Sequence, residues 1–143
     1  MDATLAVPRT WQLDIQKRLS DFHVAHNKDF LCAEPPLWLQ FFVVFELVFQ
    51  LPLFVVAVAN YWKNKRYTPR LYPYMLLYGF NASFTTLCCL VYVYFESAAH
   101  GLTTTETLNL LGVYFPTFVI PAMMTIDFAS RINANISGKQ HTD

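Results

Sequence analysis

Glu46 and Gln50 stand four residues apart inside FFVVFELVFQLPLFVVAVA, residues 41–59, a run that is otherwise almost wholly apolar. Four residues make about one helical turn, so the carboxyl and the carboxamide share a face. An ionisable group deep in a membrane is costly unless it is paired, hydrated or neutral, and it usually marks a site. Pro52 adds to this. It lacks the N–H that would bond the Val48 carbonyl, so a kinked helix with a polar pocket at the bend is expected. Other candidate chemistry is thin. His23-x-x-His26 has metal-ligand spacing on a helix, but no third ligand stands beside it in the sequence, and both are read as surface histidines. Cys32, Cys88 and Cys89 form no zinc or redox spacing and read as small apolar packing residues. With four glycines in 143 residues, no phosphate-binding loop, nucleophile elbow or nucleotide fingerprint is found. No cofactor, metal or catalytic residue is expected.

The elements that would carry Glu46 and Gln50 are long apolar helices. The chain is 55% hydrophobic, 17% aromatic and 14% charged, with a mean hydropathy of +0.30. Lys plus Arg and Asp plus Glu each number 10, so no basic excess points to nucleic acid. Apolar segments at 37–60, 71–95 and 108–128 each reach the roughly 20 residues that cross a hydrocarbon core as a helix. The fold class is therefore all-α, a polytopic transmembrane helix bundle with three spans. The first span carries Glu46, Gln50, Ala57 and Asn60 on one face. The second carries Tyr78, Asn81, Thr85, Cys88 and Tyr92, and the third Tyr114, Thr117, Pro121 and Thr125. Three polar stripes are expected to turn toward one another.

Loop charges set the orientation. YWKNKRYTPR, residues 61–70, holds Lys63, Lys65, Arg66 and Arg70 without an acid. ESAAHGLTTTET, residues 96–107, holds Glu96 and Glu106 without a base. The positive-inside bias puts 61–70 and the tail 129–143 in the cytosol, and 96–107 and 1–36 on the lumenal side. Within 1–36, Trp11, Ile15, Leu19 and Phe22 recur at helical spacing, predicting a short amphipathic helix at the interface or over the bundle mouth. Residues 37–128 form the membrane domain.

The run EPPLWLQFFVVFELVFQLPLF, residues 34–54, closely resembles the EXPERA-domain family. Further matches are TLAVPR, KDF, FTTL at 84–87 and VYFPTFVIP at 113–121. The similarity covers nearly the whole chain, and its sigma-2 receptor branch matches better than the branch of the emopamil-binding sterol isomerase. The resemblance implies a four-helix endoplasmic reticulum protein with a lipid-accessible cavity for sterols and cationic amphiphiles. This chain begins where the first of those helices would be ending, so a bundle lacking that helix is expected. The resemblance further implies that Asp2 and Asp29 match two acids at the amine-binding end. It places Glu46 and Gln50 on the glutamate and glutamine of the family's second span, and Tyr114 on a cavity tyrosine. Thr85 or Thr86 matches a threonine, and Thr117 replaces a second expected tyrosine.

Two classes of function follow. In the first, the chain is a non-enzymatic receptor. A slot between helices takes the ring system of a sterol or amphiphile, Asp29 with Asp2 meets the amine or hydroxyl, and Glu46 and Gln50 orient the polar end. A role in sterol homeostasis or trafficking would follow. The alternative is a sterol double-bond isomerase, with carboxyls moving protons and Trp38, Phe45 or Tyr114 facing a carbocation. No histidine lies in a span, which weighs against it. Membrane lipid is the surrounding partner, and a homodimer is compatible with the first reading.

Overall fold

The computed structural model describes residues 9–140; Asp2 lies outside them. Every regular element described is helical, as expected. A 3-10 turn at Arg9–Trp11 precedes helix α1, Asp14–Asn27, and a single-turn helix α2, Phe30–Ala33. The long helix α3, Leu37–Asn64, consists of α-helical stretches Leu37–Phe45 and Leu51–Asn64 joined by a π turn at Glu46–Gln50. A 3-10 turn at Pro69–Leu71 leads into α4, Tyr72–Glu96, and α5 is Thr104–Gln140. Three helices, Leu37–Asn64, Pro69–Glu96 and Thr104–Ser137, are long and apolar enough to cross a membrane. They match the three segments read from hydropathy, each extended by a few residues. Large apolar side chains such as Phe49, Phe80, Leu77 and Ile120 are exposed on these helices, the surface expected where lipid is the solvent.

Helix starts and stops follow local chemistry. Asp29 caps α2, its carboxylate accepting from the Cys32 N–H at 3.1 Å. Thr103 and Glu106 form a reciprocal capping box at the start of α5, with Glu106 Oε2 at 2.8 Å from the Thr103 N–H. Lys28, in the left-handed region at φ 51°, ends α1 and also pairs with Glu106, tying the α1–α2 junction to the head of α5. Asn60 receives the Thr68 N–H at 3.1 Å and bonds its hydroxyl at 3.3 Å, closing the basic 61–70 loop.

Helical spacing predicts Trp11 on one face with Ile15, Leu19 and Phe22. The structure corrects this: Trp11 falls in the preceding 3-10 turn, and α1 starts at Asp14. Ile15, Leu19 and Phe22 remain exposed.

Helices α4 and α5 run antiparallel and make the principal interface. Met75 lies against Phe128 at one end, and Cys89 and Val93 against Leu110 at the other. The two helices approach tightly at Gly79. A Cβ there would stand 2.7 Å from Thr125 Oγ1 and 2.8 Å from the Pro121 carbonyl. Helix α3 leans against this pair more loosely. Two apolar clusters hold the bundle at its ends. Leu31, Leu39, Cys89, Val93 and Leu110 form the one beside α2, and Ala57, Met75 and Phe128 form the other. Tyr67 and Tyr72 pack on Phe128 in the second cluster. Glu46, Gln50, Tyr78, Asn81 and Thr85 lie in the section between, whereas Tyr92 and Tyr114 pack on the first cluster.

Gly79→Ala is expected to force α4 from α5 and to lower stability by about 1–3 kcal/mol, the usual cost of overpacking. Gly112, where an added methyl would meet nothing within 4 Å, is the control: Gly112→Ala should be neutral or stabilising by up to about 1 kcal/mol. Thermal unfolding followed by helical dichroism in detergent compares the two.

Candidate functional site

The polar residues singled out in the sequence fall into two groups. The first is centred on Asp29, whose side chain is wholly buried. The turn after α1 brings it inward: Lys28 adopts its left-handed conformation and the Asp29 N–H closes on the Val24 carbonyl at 3.3 Å. Three donors then converge on the carboxylate. Oδ1 takes the Cys32 N–H at 3.1 Å. Oδ2 takes the Tyr114 hydroxyl at 2.7 Å and lies 3.0 Å from His23 Nε2. His23 Nδ1 is 3.0 Å from Asn27 Nδ2, so both contacts are satisfied when the imidazole carries its proton on Nε2. The Cys32 sulfur lies 3.8 Å from the Tyr114 oxygen. The cluster thus links α1, α2 and α5.

This arrangement corrects two expectations. His23 is not merely a surface histidine: its ring is partly exposed but bonds the buried carboxylate, while His26 is exposed and stacked on Phe22 at 5.4 Å. Cys32 is likewise no apolar packing residue but part of the polar cluster, whereas Cys89 is buried in an apolar one. The sequence did carry a signal, since Asp29 and Cys32 have N-cap and N3 spacing for α2. Nothing local announced His23.

The second group lies on α3 and α4. Glu46 Oε1 is 3.1 Å from the Thr85 hydroxyl, which is also 3.2 Å from the Ala82 carbonyl, so one proton is shared between two acceptors. Gln50 is buried and its amide reaches the Tyr78 carbonyl at 3.4 Å. The expected bend at Pro52 takes the form of the π turn, in which the Leu51 N–H bonds the Glu46 carbonyl. Such turns recur at functional sites. Thr86 donates to the Ala82 carbonyl at 2.8 Å.

A cavity of about 440 Å³ opens between α3 and the α4–α5 pair, with Glu46, Gln50, Tyr78, Thr86 and Thr117 among apolar walls that include Val43, Phe54, Ala82 and Ile120. Of the site residues implied by the family resemblance, Glu46, Gln50 and Thr86 line it, and Thr85 stands behind Glu46. Asp29 and Tyr114 do not line it. They sit toward the α2 end, Tyr114 three residues along α5 from Thr117. A second groove of about 410 Å³ lies on the other side of Gln50, lined by Phe45, Phe49, Tyr74 and Asn81. Asn81 Nδ2 is buried there without a hydrogen-bond partner, a donor that a lipid or ligand oxygen would satisfy.

Fold and site together define a polytopic α-helical membrane protein with a mostly apolar cavity among its spans that carries a few polar groups. Residues 15–128 match the model of the EXPERA (EXPanded EBP superfamily) family. The efficient mitochondria targeting-associated protein 19 of Saccharomyces cerevisiae is 40% identical, covering 85% of this chain and 81% of that protein. The human sigma intracellular receptor 2 is 31% identical, covering 88% of this chain and 75% of the receptor. A Schizosaccharomyces pombe relative of the targeting-associated protein is 29% identical over 80% of this chain and 57% of its own length. The chain belongs to the EXPERA family.

Tyr114→Phe removes one donor from the buried Asp29 carboxylate without changing the shape of the ring. It is expected to lower stability by about 1–2 kcal/mol. His26→Ala, on an exposed ring, should change it by less than about 0.5 kcal/mol. Melting of the helical signal in one detergent tests the pair.

Proposed function

We propose that this chain is a non-enzymatic membrane receptor that binds a sterol or a cationic amphiphile in the cavity between α3, α4 and α5. The observation that carries the reading is the cavity itself: about 440 Å³, mostly apolar, with a carboxyl and a carboxamide converging from one face of α3. That combination suits a ligand with a rigid apolar body and one polar end. The body lies against Val43, Phe54 and Ile120, and the polar end meets Glu46 and Gln50. Asp29, with Asp2, supplies the second acidic position for an amine, reached when the ligand or the α1–α2 cap shifts at Tyr114. The likeness to a sigma intracellular receptor supports the receptor reading. We place the protein in the endoplasmic reticulum membrane, with a part in sterol homeostasis or trafficking.

Isomerase chemistry has less to support it. A double-bond shift needs an acid and a base on the substrate with aromatic faces toward the cation. Among the described residues Glu46 is the one carboxyl lining this cavity, and Trp38, Phe45 and Tyr114 lie outside its lining. A second reading draws on the 40% identical relative, whose name associates it with efficient mitochondria targeting. In that reading the chain is associated with efficient targeting to mitochondria.

Equilibrium binding of a labelled cationic amphiphile to membranes containing this chain tests the receptor reading. Saturable binding is expected, weakened about tenfold or more by Asp29→Asn and Glu46→Gln through loss of a charge-assisted contact. Ala82→Phe, which fills the slot, should abolish it. Binding indifferent to all three would overturn the site, and conversion of a sterol to its double-bond isomer by the purified chain would replace the receptor with the isomerase.

A further inference from the structure

His23, Asp29 and Cys32 each offer a ligand atom, and these atoms all lie within 4.8 Å of one another. We propose that they form a Zn²⁺ site at the α1–α2 end of the bundle. The site does not rest on the amphiphile reading, and it reverses the expectation from sequence that no metal binds. His23-x-x-His26 alone offered two imidazoles, of which His26 faces away. The chain instead supplies an imidazole, a carboxylate and a thiol from three separate positions in space.

The donor set selects the ion. Imidazole, thiolate and carboxylate together suit zinc, whereas calcium and magnesium prefer an all-oxygen shell. Zinc bonds of about 2.0–2.3 Å place tetrahedral ligand atoms roughly 3.3–3.8 Å apart. His23 Nε2 and Asp29 Oδ2 are already 3.0 Å apart. Rotation of the Cys32 side chain, which is half-buried, brings the sulfur into range without moving α2, because Asp29 Oδ1 keeps the Cys32 N–H. The outer contacts are also in place. Asn27 lies on His23 Nδ1 and Tyr114 on Asp29 Oδ2, positions that orient ligands in metal sites. On binding, the imidazole proton moves from Nε2 to Nδ1, where the Asn27 amide can turn its oxygen to accept it. The thiol proton leaves to solvent. Three protein ligands leave the fourth position to water.

The ion would fasten α1 to α2 and occupy Asp29 Oδ2. It would therefore compete with any amine drawn to that oxygen. The site is a ligand set of its own, and Glu46 and Gln50 take no part in it.

The test uses the full chain in detergent, stripped by a chelator, with metal alone and no amphiphile. Zn²⁺ titrated calorimetrically is expected to bind saturably at a single equivalent. Co²⁺ in its place is expected to show a thiolate-to-metal charge-transfer band that Zn²⁺ bleaches. Cys32→Ser should abolish the band, and His23→Ala should weaken Zn²⁺ by about tenfold or more, while His26→Ala leaves both unchanged. The band in the unmodified chain and the His23–His26 comparison stand even if Cys32→Ser loses helical content. Absence of saturable Zn²⁺ uptake would overturn the site. So would absence of a thiolate band, or equal effects of His23→Ala and His26→Ala.

Discussion

The rest of the architecture depends on how a carboxylate survives at zero exposure. Asp29 is shut off from bulk solvent, and an ionised group taken out of water without partners costs several kcal/mol or more. Its backbone donor from Cys32, phenolic donor from Tyr114 and imidazole donor from His23 come from three different elements. Satisfying one residue therefore docks α1 and α2 onto the end of α5. The Lys28–Glu106 pair reinforces this from outside, but an exposed ion pair is worth little by comparison. Helix α1, which has no buried residue, is held by polar convergence more than by packing, whereas α2 also buries Leu31 in the apolar cluster.

The membrane section obeys the same constraint differently. Pro52, Pro116 and Pro121 each withhold a donor from a helical ladder, which frees the carbonyls of Val48, Gly112 and Thr117 four residues back. The π turn at Glu46–Gln50 absorbs the irregularity before Pro52. Apolar clusters at both ends then allow α3 to stand off from α4 and α5 in the middle. The cavity exists because the end clusters carry the contact and Gly79 draws α4 and α5 together, leaving the third helix to lean away. Its polar groups are not spread along the wall but gathered where α3 is irregular.

The two polar groups, one at Asp29 and one at Glu46, are separate in the structure, although the family resemblance implies a single ligand site for both. Tyr114 and Thr117, one turn apart on α5, are the nearest bridge: the first bonds Asp29 and the second lines the cavity. A ligand that reaches both ends must therefore disturb the Tyr114 bond.

What the sequence determined by itself was whatever depends on local order. Hydrophobic length defined three spans, and the spacing of Glu46, Gln50 and Ala57 turned one face of α3 inward. Pro52 marked the bend, and the EPPLWLQFFVVFELVFQLPLF run pointed to the family. These are readable because helical periodicity and the length of an apolar run are properties of consecutive residues. Trp11 escapes such a reading because a 3-10 turn and an α-helix differ by less than one residue per turn. The tertiary structure alone decided that His23 bonds Asp29, that Tyr114 reaches the same carboxylate from 85 residues away, and that Thr85 rather than Thr86 bonds Glu46. Those outcomes depend on the rotation and depth of each helix against its neighbours. Packing around Gly79 and the end clusters sets both, and no stretch of chain encodes them alone.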